Sequence, residues 1–193
     1  EVVSPVEENT TAGRYLDRRN GDGGYMVIIQ VDDFLDAKQS VKENNITVVW
    51  ESDHPEAKAI HLHPKQMGGA ILSLDWMNPK ESWKWAGPNW DKFVNTSLVN
   101  RFVGVEIQAE NPEDMKNTWQ SVLNLKGERV TGNQINLDNT WIRFLEDEDG
   151  RGAGVSAFCL EADDNDKLFE KASDLGLVYE DNIMIGGVKF LLS

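Results

Sequence analysis

The sequence predicts an α+β fold of tandem units, each a strand, a helix and two or three further strands. Two observations carry this expectation. First, one short pattern occurs three times, at residues 25–33 (YMVIIQVDD), 102–110 (FVGVEIQAE) and 156–164 (SAFCLEADD), each an apolar strand-like run that ends in acid. Second, every copy runs straight into a stretch of helical periodicity and then into further strand-like runs. A strand-helix unit repeated at this spacing marks joined copies of one module, and such modules make their site between copies.

Taken in order, residues 1–22 read as a strand end, a polar stretch and a short helix over 12–19, with no strand-helix pair before them. The first unit, 23–77, has Asp32 or Asp33 as the cap of a helix presenting Phe34, Ala37 and Val41, and Asn44-Asn45 ends that helix. Strands are expected over 47–51, 59–63 and 70–76, with Gly68-Gly69 turning between the last two. Residues 78–100, with Trp83, Trp85, Trp90, Pro79 and Pro88, form a connector packed by aromatics. In the second unit, 101–150, Asn111-Pro112 with Glu113 and Asp114 is a helix start. Met115, Trp119, Val122 and Leu123 share one face of that helix, and Lys126-Gly127 ends it. Strands over 134–137 and 140–145 then turn at Asp138-Asn139. The third unit, 151–193, is expected to be a shorter βαββ module. Asp163 or Asp164 is its cap, Leu168, Phe169, Ala172 and Leu175 share a face, and strands over 182–185 and 188–192 turn at Gly186-Gly187.

Composition limits the function classes. The chain of 193 residues is long enough for a substantial core. No apolar run approaches the roughly 20 residues of a bilayer span, and the first residues carry no signal-peptide pattern. Nineteen basic against 33 acidic residues give a net charge of -14, which repels phosphate backbones and anionic membranes. Neither nucleic acid nor a membrane is an expected partner. The single cysteine, Cys159, excludes an intrachain disulfide and a cysteine-based zinc cluster; it reads as a buried, inert thiol of a cytoplasmic protein. The Asn-x-Ser/Thr triplets at Asn9, Asn45 and Asn95 then carry no meaning. Gly21-Asp22-Gly23-Gly24 precedes a strand and residues 150–154 lie between strands, so both are turns rather than phosphate loops.

The tandem β-α-β-β-β order resembles the vicinal oxygen chelate superfamily, the group of glyoxalase I, methylmalonyl-CoA epimerase, extradiol dioxygenases and bleomycin-binding proteins. The nearest likeness is to epimerase-type and glyoxalase-like members. It rests on Glu1-Val2-Val3-Ser4-Pro5, similar to the strand that closes their first module, on Tyr15-Leu16-Asp17-Arg18-Arg19 followed by Gly23-Gly24-Tyr25-Met26-Val27, and on His61-Leu62-His63-Pro64-Lys65 followed by Gly68-Gly69. It covers residues 1–76 closely and 101–192 as a pattern of elements. It implies tandem βαβββ modules whose curled mixed sheets surround a cavity, and that residues 1–22 are the remnant of a first module.

The resemblance also implies a metal site. Family modules each give a His from the first strand and a Glu or Gln from the last, and two modules hold one divalent ion that polarises substrate oxygens. The first-strand position falls on Met26, Phe102 and about Ala157, and the last-strand position on Ser73, Arg143 and near Lys189. None suits a hard cation. Glu1 alone matches a ligand position, and His61 and His63 are rival ligands that share a strand face. The competing reading of His63-Pro64 is a structural strand end, and His54 reads as a solvated loop residue.

Met26, Ser73, Phe102, Arg143 and Trp76 are therefore the expected ligand-binding positions. Arg143 either faces the cavity and grips a carboxylate or faces solvent. The tryptophans either line an apolar pocket or seal the join between modules. The leading expectation is a glyoxalase-like protein that binds a small organic molecule in an inter-module cavity without metal or other cofactor. The alternatives are a divalent-metal-dependent lyase, isomerase or dioxygenase completed by the first module, and a catalytically silent assembly module. A half-module leaves a sheet edge uncovered, so a homodimer is expected.

Overall fold

The computed structural model describes residues 2–193; the expectation for Glu1 lies outside them. The repeated acids become helix caps. The Asp33 carboxylate accepts the backbone N–H groups of Leu35 and Asp36 at 2.9 and 3.0 Å, and Asp164 accepts that of Lys167 at 2.9 Å. In the middle copy Asn111 takes this place, accepting the N–H of Asp114 at 3.1 Å. Each cap satisfies donors that the first helical turn leaves open.

The units follow the predicted order. A lone helix, α1 (Thr11–Arg19), precedes them. The first unit is β1 (Met26–Gln30), α2 (Phe34–Glu43), β2 (Val48–His54), β3 (Ala57–Leu62) and β4 (Ile71–Met77). The second is β5 (Arg101–Ala109), α3 (Pro112–Val122), β6 (Val130–Thr131), β7 (Gln134–Asn136) and β8 (Trp141–Glu146). The third is β9 (Gly154–Glu161), α4 (Asn165–Asp174), β10 (Val178–Tyr179), β11 (Asn182–Ile185) and β12 (Val188–Leu192). Within each unit the first strand runs parallel to the last, and the others are antiparallel.

The first unit forms a four-stranded sheet ordered β1-β4-β3-β2. The second and third share an eight-stranded sheet ordered β10-β11-β12-β9-β5-β8-β7-β6, joined where β5 and β9 lie antiparallel. A common core runs under both sheets, from Val27, Ile60, Leu72 and Leu74 to Ile107, Trp119, Ile142 and Phe144. Trp119 anchors it across units. Its indole, fully buried, donates to the Met67 carbonyl at 2.9 Å.

Four details differ from the sequence reading. Residues 2–5 pair with no strand among the described residues, and Val2 and Val3 are exposed; extended backbone becomes a strand only with a neighbour to satisfy it. The third unit contains one further strand, β10, paired with the expected β11, so it is a full βαβββ set. Two-residue strands are too short to show a period. Strand β3 stops at Leu62, before His63. Both sheets are open rather than curled shut, and the cleft described below forms between elements. Cys159 is buried as expected, and burial pushes its thiol up, away from the reactive thiolate. Among the described residues no helix is long and apolar enough to cross a membrane.

Candidate functional site

A cavity of about 690 Å3 forms a cleft between α1, one face of the four-stranded sheet and the loop before β9. Alternation decides what that face carries. Val27, Ile29, Leu72, Leu74, Ile60 and Leu62 point to the helix-covered core. The side chains between them, among them Met26, Ile28, Ile71, Ser73, Asp75 and His61, share the opposite face.

Helix α1 forms one wall. Thr10 caps it by accepting Gly13 N–H at 3.0 Å, and Asn20 ends it in the left-handed conformation. Tyr15 and Arg19, four apart, are its buried stripe, whereas Arg14 and Arg18, also four apart, are exposed and face the cleft. The Tyr15 hydroxyl donates to the Gly24 carbonyl at 2.6 Å, and its ring meets Tyr25 edge-on at 5.3 Å. Burial pushes both phenols up, and the neighbouring arginines oppose this. Arg19 Nη1 reaches the carbonyls of Arg151, Gly152 and Ala153 at 3.3 to 3.4 Å, tying α1 to the loop before β9. Gly69, at φ +98°, sits so close to that loop that a Cβ would lie 2.3 Å from the Ala153 carbonyl oxygen.

The facing wall is Val49, Trp50, His61, His63, Lys65 and Ile71. The Trp50 ring stacks on the His61 imidazole with centroids 4.4 Å apart. Burial pulls His61 below the usual imidazole range, and the Asp75 carboxylate partly opposes it. His63 Nδ1 accepts the Lys65 backbone N–H at 3.2 Å, which makes it a strand-end brace as well as a cleft residue. Further along the face, Asp75 is almost fully buried. It accepts hydrogen bonds from the Ser73 hydroxyl and from Trp85 Nε1, the latter at 2.6 Å. Burial raises its pKa, and the two hydrogen bonds hold it back. Trp85 thus brings the connector onto this face, whereas Trp76 lies on the core side.

The expected positions do not converge. Met26 and Ser73 share the cleft face but neither lines the cavity, and Trp76 is on the other side of the sheet. Phe102 and Arg143 belong to the other sheet. A bulge between Phe102 and Gly104 turns Phe102 onto the face of Val105, where its ring meets Phe158 edge-on at 5.5 Å. Arg143 lies on the opposite face. Its guanidinium is occupied by Glu106 at 3.1 Å and by Gln134 at 3.2 and 3.3 Å, and it stacks over Trp141. The family's metal is not suited by these residues: Ser73 is engaged with Asp75, Arg143 is a cation, and Phe102 points away. Among the described residues no three His, Cys, Asp or Glu side chains come together as ligands. His54 is exposed, as read, but it ends β2 rather than lying in a loop.

Sequence reasoning placed helix α1 but gave it no part in the site, and it passed over Asp75. Both left a signal. Arg14 and Arg18 one turn apart beside Tyr15 and Arg19 is a basic-aromatic helix in an acidic chain. Asp75 is a lone acid inside an apolar strand run.

Comparison with solved structures places the fold in a wider class. The chain matches a hypothetical protein from Staphylococcus aureus with a TM-score of 0.61 and 12% identity, over 95% of this chain and 70% of that one. It matches a variant of 4-hydroxymandelate synthase from Streptomyces coelicolor at TM-score 0.60 and 13% identity, over 90% of this chain. It matches a xylose isomerase-like TIM barrel/4-hydroxyphenylpyruvate dioxygenase fusion protein at TM-score 0.61 and 12% identity, over 89% of this chain. The chain spans 59% of the synthase and 30% of the fusion protein. At such identities the likeness is one of fold, the mixed α+β architecture of tandem βαβββ units. No family model and no curated protein sequence matches the chain.

Proposed function

We propose that this chain is a glyoxalase-like protein of the vicinal oxygen chelate type that binds a small organic molecule in the cleft between α1 and the four-stranded sheet, without the metal typical of that group. One observation carries the reading. Aromatic side chains from three elements, Tyr15, Tyr25 and Trp50, converge on a cleft of about 690 Å3, within the size range of small-molecule sites. The buried cysteine and the acidic surface fit a cytoplasmic protein. The free edge of β1 fits a homodimer in which two copies of that edge pair.

The reading is tested by thermal-shift screening of small aromatic compounds together with elemental analysis of tag-free protein. Expected are ligands that raise the melting temperature equally with and without chelator, and less than one tenth of an equivalent of transition metal (about the level of adventitious binding). One equivalent of metal whose removal abolishes ligand binding overturns it. That outcome favours the second reading, a metal-dependent enzyme of the kind named among the structural neighbours, for which the observation is that His61 and His63 both line the cleft.

A further inference from the structure

The charge in the cleft runs against the charge of the chain. The sequence holds 33 acidic and 19 basic residues. Yet Arg14, Arg18, Arg19, Arg151 and Lys65 all line this one cavity, with His61 and His63 beside them, and no Asp or Glu does so among the described residues. Among the described residues only Arg151 of these has a carboxylate partner, Asp149 at 2.7 Å, which is held down to about 2: burial raises it, but the bonds from Arg151 and Gln108 win. Arg14 donates to the Asn9 carbonyl and the Thr11 hydroxyl, both neutral. Arg19 is buried with its charge met by backbone carbonyls and the Tyr15 ring, 5.8 Å away, and among the described residues its Nε and Nη2 have no hydrogen-bond partner. Burying a cation without a counter-ion is costly, and clustering it with three more unpaired cations adds repulsion. Arg14, Arg18 and Lys65 are exposed and solvated, but Arg19 is not, and a ligand that brings negative charge would offset its burial.

We propose that the ligand of this cleft is an organic oxyanion, a carboxylate or phosphate attached to an aromatic or apolar body. This deepens the small-molecule reading given above and rests on it. The anionic group sits between Arg14 and Arg18 of α1 and Lys65 of the facing wall, within the field of the enclosed Arg19. The body lies against Trp50, Tyr25, Val49 and Ile71. Arginine pairs held one helical turn apart give oxyanions directed, charge-assisted hydrogen bonds. The acidic exterior keeps polyanions such as nucleic acid away while the cleft still accepts a small anion.

The test is calorimetric titration of the full chain with three probes of one shape, phenyl phosphate, benzoate and benzyl alcohol, at low and high salt. Arg14→Gln/Arg18→Gln is titrated in parallel; both side chains are exposed, so the fold should survive, which circular dichroism checks. Expected is binding of at least one anion about tenfold or more tighter than the alcohol, weakened about tenfold by the double substitution and weakened by salt. Whether phosphate or benzoate prevails identifies the headgroup. Equal binding of all three probes, or anion binding unchanged in the double variant, overturns the anion assignment and leaves the small-molecule reading standing. Binding of none overturns both.

Discussion

In the eight-stranded sheet, β5 and β9 lie antiparallel and cover each other's backbone edge; in the four-stranded sheet the equivalent strand, β1, has β4 on one side and a single bridge, Gly24 to Val155, on the other. The units share one order of strands, so the difference lies in what finishes them. In the paired units polar side chains satisfy one another, as Arg143 does with Glu106 and Gln134. The first unit is closed instead by borrowed pieces: α1, Trp85 of the connector and the loop before β9. Borrowed pieces fit less fully, and the cleft with its unpaired cations is what remains. The proposed binding site thus lies beside the first strand that no second unit pairs along its length among the described residues.

The comparison breaks most severely at Trp119, the side chain shared by both regions. Trp119→Ala removes a fully buried indole and its bond to Met67, and should cost about 3–5 kcal/mol by urea denaturation. A loss below about 1 kcal/mol means that the two regions do not depend on a common core. Gly69→Ala comes next. Its backbone is left-handed and its Cβ meets the Ala153 carbonyl, so a destabilisation of about 1–3 kcal/mol is expected, with the cleft widened. Retained stability and unchanged probe binding contradict close contact there.

Asp75→Asn probes the covered face through pH. Burial raises the Asp75 pKa above that of the unfolded chain. The folded state therefore binds more protons in the window between the two values, and native stability falls as pH rises through it. The asparagine variant should lose that part of the slope, measured by urea midpoints at several pH values from the ordinary carboxylate range upward. An identical slope refutes the burial of this carboxylate.

Ile28→Lys has the smallest expected effect on the fold, within about 0.5 kcal/mol, because Ile28 is 41% exposed on the edge strand. It should convert the proposed dimer to a monomer, since a lysine blocks strand-to-strand pairing. Light scattering decides: a wild-type monomer, or a variant that stays dimeric, removes β1 as the interface.

The sequence by itself determined the units. Alternating apolar runs, acids at the helix starts and glycine pairs at the hairpins are local signals, and each acts over one or two turns of chain; Asp33, Asn111 and Asp164 cap where such residues must. It also marked Cys159 and Trp119 as core. Two-residue strands, the open sheets and the fate of residues 2–5 were not legible, because pairing depends on a neighbour that no local pattern names. The site was decided by tertiary structure almost entirely. Positions carried over from the family resemblance ended on two different sheets, and a single bulge at Phe102 reversed one of them. The cleft instead gathers residues 14–19, 49–50, 61–71 and 151–153, which nothing in the linear order relates. Charge clustering is a property of where side chains meet in space, so an acidic chain holds a basic pocket that its composition conceals.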